Sequence, residues 1–160
     1  MNVEKLMTKE VKSCSADATT ADAARIMWEH DCGFVPVVDA SDRLVGVVTD
    51  RDICMASYLK TRTLNEIGVR EVMATELYTC QPEDSIRTAE NVMRRAQVRR
   101  LPVTSASNRL VGILSLNDIA REAERERAAS SPEVGLDDVA LTLSAVSKQH
   151  TSVRAAQLTP

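Results

Sequence analysis

Along the first sixty residues, short β-type segments alternate with segments whose apolar residues have helical spacing. Segments rich in Val, Ile and Phe are separated by turn residues, which favours strands. Residues 21–29 carry apolar side chains at helical spacing, and residues 17–20 before them supply capping side chains. The predicted order is a strand over 11–14, a helix over 21–29, strands over 34–38 and 44–48, and a helix over 53–58 that is opened by residues 49–52.

This order of elements is repeated at a fixed distance. Residues 43–53 read RLVGVVTDRDI, and residues 109–119 read RLVGILSLNDI, 66 positions later. The same register holds upstream, where Met27 pairs with Met93 and Pro36 with Pro102. A fixed offset over so many positions indicates a duplicated structural unit.

The repeat predicts an α+β fold of two tandem β-α-β-β-α units, residues 3–58 and 69–124. Each unit alone would expose one face of a small sheet, so we expect the two units to pack against each other through their sheets. Residues 125–160 form a different extension. Apolar positions between Leu136 and Val146 predict one short amphipathic helix there, and we expect disorder from about Lys148 onward.

Composition narrows the function classes. Aromatic residues make up only 2% of the chain and the net charge is −3, so the composition argues against nucleic-acid binding. No apolar run is long enough to span a membrane, and the N-terminus lacks a signal peptide, which predicts a cytoplasmic protein. The four cysteines lack metal-ligand spacing, and Cys14 and Cys80 lie in apolar segments where a structural role is expected.

The repeated motif can be interpreted in two ways. Thr49 with Asp52, and Ser115 with Asp118, each fit a helix-capping box, which is a structural role. The glycine in each preceding strand indicates close approach by a ligand or by another backbone. A helix N-terminus with a hydroxyl also favours phosphate, and a nearby carboxylate can accept hydrogen bonds from ribose. Capping and ligand binding are compatible, so both interpretations stay open.

The motif GVVTDRD, preceded by VPVVD and a turn, resembles the CBS domain, named for cystathionine beta-synthase. Two such units in tandem resemble a stand-alone CBS pair, or Bateman module, with no catalytic domain attached. The resemblance implies that the chain binds adenosine-containing ligands, such as AMP, ADP, ATP, S-adenosylmethionine or NAD(H), in two clefts between the units. It implies a regulatory role without a required cofactor. It also implies a homodimer, with the first helices and the tail helix at the contact.

The resemblance further implies which residues line each cleft. In each, an aspartate would hold the ribose, a hydroxyl would approach phosphate, and apolar residues would enclose adenine. Each motif would face the early strand and the pre-proline segment of the other unit. One cleft would combine Val47, Thr49 and Asp52 with Leu77, Tyr78, Val98, Arg99 and Arg100; the other would combine Ile113, Ser115 and Asp118 with Val11, Lys12, Cys32 and Gly33.

The two clefts differ in charge. Arg99-Arg100 stands where the first unit has Gly33-Phe34, and Lys12 is the only base expected in the other cleft. The arginines either belong to a solvated face or bind a phosphate through charge-assisted hydrogen bonds. The second interpretation predicts that the Thr49/Asp52 cleft binds the more highly charged nucleotide.

The leading hypothesis is therefore a sensor of adenine nucleotides that signals to a protein partner. An alternative is a non-catalytic assembly protein with empty clefts. An enzyme is not expected, because the sequence has no nucleophile–base pair, no metal spacing and no phosphate loop. Nucleic-acid binding would rest on Arg94, Arg95, Arg99 and Arg100 alone.

Overall fold

The computed structural model of the chain describes residues 1–128, 130 and 132–148. Two short 3-10 turns, Val3–Lys5 and Val69–Glu71, begin the two repeats. The first unit contains β1 (Cys14–Ser15), α1 (Thr20–Glu29), β2 (Phe34–Val38), β3 (Leu44–Thr49) and α2 (Asp50–Lys60); the second contains α3 (Ile86–Ala96), β4 (Arg100–Thr104), β5 (Leu110–Ser115) and α4 (Leu116–Arg125); α5 (Leu136–Val146) follows.

Each unit has an antiparallel strand pair covered by two helices. Strands β2 and β3 pair from Phe34 opposite Thr49, and β4 and β5 pair in the same way from Arg100 opposite Ser115. Both ladders shift register near their far end, after Val37 and after Val103. The α+β architecture expected from the repeat is confirmed.

Capping side chains determine where the helices begin. Thr19, Thr49, Ser85 and Ser115 are the N-caps, and each side chain accepts a hydrogen bond from the backbone N–H three residues later. These bonds satisfy donors that the first helical turn leaves without a partner. The predicted helix starts are thus accounted for by local chemistry.

The predicted first strand is shorter than expected. Only Cys14–Ser15 pairs with β2, in parallel, and the second unit has a single bridge from Cys80 to Val103 at the equivalent place. The residues before Cys14 cannot continue along β2, because the chain comes from the other unit: Thr8 pairs with Ile113. The prediction of a strand over 11–14 is therefore wrong for residues 11–13.

The two units exchange their first segments. Val3 is buried in the core of the second unit, and Val69 is buried in the core of the first. The chain then crosses the strands of that other unit, where Thr8 bridges Ile113 and Ala74 bridges Val47. Each repeat is one continuous stretch of the sequence, but each hydrophobic core contains residues from both repeats.

The two sheets also meet directly at the turns between their strands. Arg43 bridges Arg109, and the backbone N–H of Leu44 donates to the carbonyl of Asn108 at 3.1 Å. The N–H of Leu110 donates to the carbonyl of Asp42 at 3.2 Å. These bonds hold the two sheets together, in agreement with the expected packing.

In the described part of the chain, the tail helix α5 lies mainly on the helices of the second unit. It packs against α3 and α4 and buries Thr142 and Val146. Among the described residues no helix is both long and apolar enough to cross a membrane. The disorder expected from Lys148 onward falls almost entirely on residues 149–160, which lie outside the described residues.

Candidate functional site

The hydroxyl and aspartate of each motif form a complete capping box. Thr49 donates to Asp52 Oδ2 from its hydroxyl at 2.7 Å and from its backbone N–H at 3.0 Å, and the N–H of Asp52 donates back to Thr49 Oγ1 at 3.2 Å. Ser115 and Asp118 repeat this arrangement at 2.5, 2.9 and 3.2 Å. Both aspartates therefore have a structural role, whatever else they bind.

The second carboxylate oxygen distinguishes the two aspartates. Asp118 Oδ1 accepts a hydrogen bond from the Arg121 guanidinium. No described residue donates to Asp52 Oδ1. A ribose bound at Asp118 would therefore share that carboxylate with an arginine.

Each motif glycine makes room for a methionine. A Cβ added at Gly46 would lie 2.6 Å from Met73 Sδ, and one at Gly112 would lie 2.6 Å from Met7 Sδ. At Gly112 the backbone carbonyl of Thr8 would also lie only 3.2 Å away. The close approach expected at these glycines comes from the exchanged segments, so the glycines do not indicate a ligand.

The candidate residues share one face of each sheet. Directly opposed residues of an antiparallel pair project to the same side. Thr49 therefore projects beside Phe34, and Ser115 beside Arg100, while the intervening Val48 and Leu114 are fully buried on the helix-covered face. Val47 and Ile113 continue the same faces opposite Pro36 and Pro102. The motif side chains thus lie on the faces that the helices leave uncovered.

The strand ladders show which motif each pre-proline segment adjoins within its own unit. Arg100 lies opposite Ser115, and the N–H of Leu116 donates to the carbonyl of Arg99 at 2.9 Å. In the first unit the N–H of Asp50 donates to the carbonyl of Gly33 at 3.3 Å. Each pre-proline segment therefore lies beside the motif of its own unit, because the two strands form one hairpin.

The early segments do cross to the motif of the other unit. Val11 and Lys12 follow the bridge between Thr8 and Ile113, and Leu77 and Tyr78 follow the bridge between Ala74 and Val47. The Tyr78 hydroxyl donates to Glu76, and this hydrogen bond raises the pKa of Tyr78. Of the predicted residues, Lys12, Tyr78 and Arg99 are exposed, and the others are half-buried: Val11, Cys32, Gly33, Val47, Thr49, Asp52, Leu77, Val98, Arg100, Ile113, Ser115 and Asp118.

The side chain beside the motif hydroxyl differs in charge between the two units. Phe34 lies beside the motif hydroxyl in the first unit, and Arg100 lies beside it in the second. Lys12 also follows the segment that crosses the second motif. The Arg99 guanidinium is instead directed to Ser147 Oγ, at 3.4 Å. In the strand ladder the arginine of the second unit thus adjoins Ser115 of its own unit.

Phe34 is the residue that the candidate set omits. Its position opposite Thr49 makes it the counterpart of Arg100, which the set contains. The 66-residue offset already aligns Phe34 with Arg100 in sequence. The sequence does not show that strand pairing places Phe34 beside the motif of its own unit.

The buried cysteines behave as apolar side chains. Burial raises the pKa of Cys14 to about 11 and that of Cys80 to about 12, so both thiols stay protonated at neutral pH. Cys32 and Cys54 line a groove between α1 and α2. Within the part of the chain that the structure describes, no three His, Cys, Asp or Glu side chains come together in a way that could hold a metal ion.

Comparison with known proteins gives the family. The CBS domain model matches residues 3–58 and 69–125. The chain is 37% identical over 130 residues to the CBS domain-containing protein YhcV of Bacillus subtilis, covering 81% of this chain and 91% of that protein.

Two solved structures have the same fold. Hypoxic Response Protein I, solved with two coordinated zinc ions, has a TM-score of 0.69 and 36% identity, over 76% of this chain and 98% of that one; the protein of that name is from Mycobacterium tuberculosis. CBSX2 in complex with AMP has a TM-score of 0.69 and 24% identity, over 79% of this chain and 98% of that one.

Enzymes among the relatives match through a small part of their length. Three of them each share about a quarter of their chain with this protein. The match thus covers the CBS part of larger proteins, whereas YhcV is matched over nearly its whole length. The chain belongs to the CBS domain family and consists of a tandem CBS pair with a C-terminal helix.

Proposed function

We propose that this protein is a regulatory module that senses adenine nucleotides or related adenosyl ligands in the clefts between its two units. The observation that carries the proposal is the placement of Ser115 and Asp118 at a helix N-terminus, on an uncovered sheet face, with Arg100 directly opposite. Free backbone donors and a guanidinium together favour a phosphate, and a carboxylate suits vicinal hydroxyls.

In this proposal the cleft of the second motif holds the more highly charged ligand. Arg100 is half-buried and forms no ion pair with another described residue, so its guanidinium is available to a phosphate. Ile113 and the crossing segment at Val11 supply apolar surface for an adenine ring. CBSX2, which has the same fold, was solved with AMP and so offers AMP as the first ligand to test.

The cleft of the first motif suits a ligand with less negative charge. Phe34 replaces the arginine beside Thr49, and an aromatic face favours stacking on a base rather than binding a phosphate. Asp52 keeps one carboxylate oxygen without a described donor, which leaves it open to a ribose hydroxyl. S-adenosylmethionine or adenosine therefore fits this cleft better than ATP.

Calorimetry on two variants tests the assignment. Arg100→Ala should weaken AMP and ATP binding by about 10-fold or more, because a hydrogen bond to a charged group contributes about 1.5–3 kcal/mol. Arg95→Ala, which removes an exposed arginine from α3, is the matched control and should bind as the wild type does. Equal affinities for the wild type and Arg100→Ala would contradict the assignment of the phosphate to this cleft.

The alternative of an assembly protein with empty clefts has one observation in its favour. The capping boxes and the methionines over the glycines account for much of the motif without a ligand. Thermal shift separates the two functions, since a ligand at a hundred times its dissociation constant stabilises the fold by about 2.7 kcal/mol. No shift with AMP, ADP, ATP, NADH or S-adenosylmethionine would favour the assembly protein.

We further propose that the protein is a homodimer and that it works in the cytoplasm. Exposed aromatic side chains on the first helices support self-association, because a large exposed apolar patch marks an interaction site. All four cysteines are free, which fits a reducing compartment.

A further inference from the structure

One short segment of the second unit contacts both the tail helix and the motif. This segment, here called the α3–β4 connection, consists of residues 97–99 and leads directly into Arg100. Arg100 lies opposite Ser115 on the uncovered face of the sheet. The side chains of Gln97 and Arg99 instead reach the C-terminal end of α5, and the carbonyl of Arg99 accepts the first backbone N–H of α4. The connection therefore lies between the candidate cleft and the tail helix.

The α3–β4 connection donates two hydrogen bonds to the end of α5. Gln97 Nε2 donates to the carbonyl of Ala145, and Arg99 Nη2 donates to Ser147 Oγ, each at 3.4 Å. The end of a helix leaves its last carbonyls without partners and carries partial negative charge, so an amide and a guanidinium both suit it. The last turn of α5 has no basic residue of its own. Arg99 supplies that positive charge from the second unit.

The first unit lacks both of these donors. The 66-residue offset places Asp31 and Gly33 at the positions of Gln97 and Arg99. An ionised carboxylate cannot donate a hydrogen bond, and glycine has no side chain. The backbones are alike, since Asp31 and Gln97 have positive φ angles of 48° and 54°. Among the described residues α5 packs on α3 and α4 and makes no comparable contact with α1 or α2. The donors thus occur in the unit that carries the helix.

The tail helix is held lightly enough to respond to a ligand. Only Thr142 and Val146 of its eleven residues are buried. Docking of α5 also covers Glu90, which is 2% exposed and lies 3.2 Å from the Thr142 hydroxyl. Burial of a carboxyl group opposes docking, and elements with few buried apolar contacts open most readily. A modest stabilisation of the α3–β4 connection is therefore enough to shift the docking equilibrium of α5.

We propose that a ligand in the cleft of the second motif strengthens the docking of α5, so that the tail helix reports whether this cleft is occupied. The inference rests on the proposed function and specifies its regulation. A phosphate bound by Arg100 would fix the α3–β4 connection, and α5 would then dock on a segment that is already ordered. Ligand binding and helix docking share one ordering cost, so each favours the other. The signal is then the fraction of chains in which α5 is docked.

Amide hydrogen exchange of the full chain, with and without AMP, tests the coupling. Saturating AMP should slow exchange in α5 by about 5-fold or more, since coupling between two sites typically corresponds to about 5–150-fold. Arg100→Ala at the same AMP concentration should lose this effect, because the second cleft then lacks the guanidinium that binds the phosphate.

Reciprocity provides a second measurement, by calorimetry. Val146→Asp places a charge beneath α5 and should undock it, and the dissociation constant of AMP should then rise by the same factor. Leu141→Asp adds the same charge at an exposed position of the same helix and is the matched control, which should bind AMP as the wild type does. Val139→Asp, at a position packed against the same core, replaces Val146→Asp if circular dichroism shows that the latter does not fold.

A double variant tests the route of the coupling. Gln97→Asn/Ser147→Ala removes both hydrogen bonds between the α3–β4 connection and α5, and asparagine tolerates the positive φ at position 97. Neither residue belongs to the candidate cleft. Saturating AMP should no longer slow exchange in α5 of this variant.

Other results would overturn the inference. If AMP binds the wild type but exchange in α5 stays the same or becomes faster, the coupling is rejected and the proposed function stands. Slowing that persists in Arg100→Ala, or equal AMP affinities for the wild type and an undocked Val146→Asp, rejects it in the same way. If another nucleotide binds in place of AMP, that nucleotide is used in the same measurements. A wild type that binds none of AMP, ADP, ATP, NADH and S-adenosylmethionine rejects both the coupling and the proposed function.

Discussion

The helices of the two repeats differ in what lies on them. In the second repeat α5 covers α3 and α4, and Met93 beneath it is fully buried. In the first repeat the equivalent Met27 lines an open groove under an exposed Trp28. The two repeats have the same backbone plan, so the difference comes from a few side chains at equivalent positions. In this duplicated fold one copy thus holds the tail helix, while the helix pair of the other copy stays exposed in the described residues.

The uncovered sheet faces differ in a similar way. Phe34 and Arg100 occupy equivalent positions, opposite the motif hydroxyl of their own unit. The shared backbone supplies the helix N-terminus and the aspartate, and the single side chain opposite them decides whether the face is apolar or cationic. Comparison of the repeats therefore predicts different ligands for the two clefts.

The largest expected difference concerns the paired methionines. Met93→Ala should destabilise the fold by about 2–5 kcal/mol, because it leaves a cavity that α5 closes off from water. Met27→Ala should cost less, since solvent in the open groove can fill the space. Urea unfolding of the two variants measures both losses of stability. Equal losses would show that α5 does not seal the second unit.

A smaller difference is expected between the two motif glycines. Gly112→Ala should cost about 1–3 kcal/mol, because the added methyl meets the backbone carbonyl of Thr8 as well as Met7. Gly46→Ala should cost less, because Met73 alone is displaced and its side chain can rotate. In Gly68→Ala, a control, the added Cβ would make only an ordinary contact with Glu71. A greater loss for Gly46→Ala in urea unfolding would contradict this account of the exchanged segments.

The smallest effect concerns the buried Glu90 under α5. Burial raises its pKa above the ordinary value of 4.5, and Asp138 acts in the same direction, while the Thr142 hydrogen bond, Arg94 and Arg87 oppose the rise. The folded protein therefore binds this proton more tightly than the unfolded chain does. Its contribution to stability is complete below pH 4.5 and is lost as the pH rises through the folded pKa.

Thermal unfolding at several pH values checks this effect. The Tm of the wild type should fall relative to that of Glu90→Gln as the pH rises from 4 to 7, because glutamine stays uncharged. Glu29→Gln, on the exposed side of α1, is the control and should show no such trend relative to the wild type. A constant difference in Tm between wild type and Glu90→Gln across this range would show that the carboxyl group does not titrate there.

Much of the local structure could be predicted because its causes are local. The capping box of Thr49 and Asp52 depends on residues three positions apart, and the α5 helix follows from its own apolar spacing. The duplicated motif likewise indicated the family, which the CBS domain model confirms. These features need no knowledge of which segments meet in space.

The grouping of the cleft residues could not be predicted in the same way. The sequence shows Arg99-Arg100 and Gly33-Phe34 as equivalent dipeptides, but only the strand ladder shows that Arg100 lies opposite Ser115 of its own unit. The glycines indicated a close approach without showing that Met7 and Met73 make it. In both cases the partner lies far away in the chain, and local spacing carries no information about it.

The duplication follows from the 66-residue repeat in the sequence, and the order of elements, the helix caps and the apolar spacing of α5 follow from side chains a few positions apart. The folded chain alone shows that the first segments exchange between units, that Arg100 lies opposite Ser115, and that α5 covers one helix pair and leaves the other exposed. Those outcomes depend on which of two similar surfaces a segment packs against. The two helix pairs differ in side chains at equivalent positions, such as Trp28 and Arg94. These side chains become neighbours of α5 or of another segment only once the chain has folded.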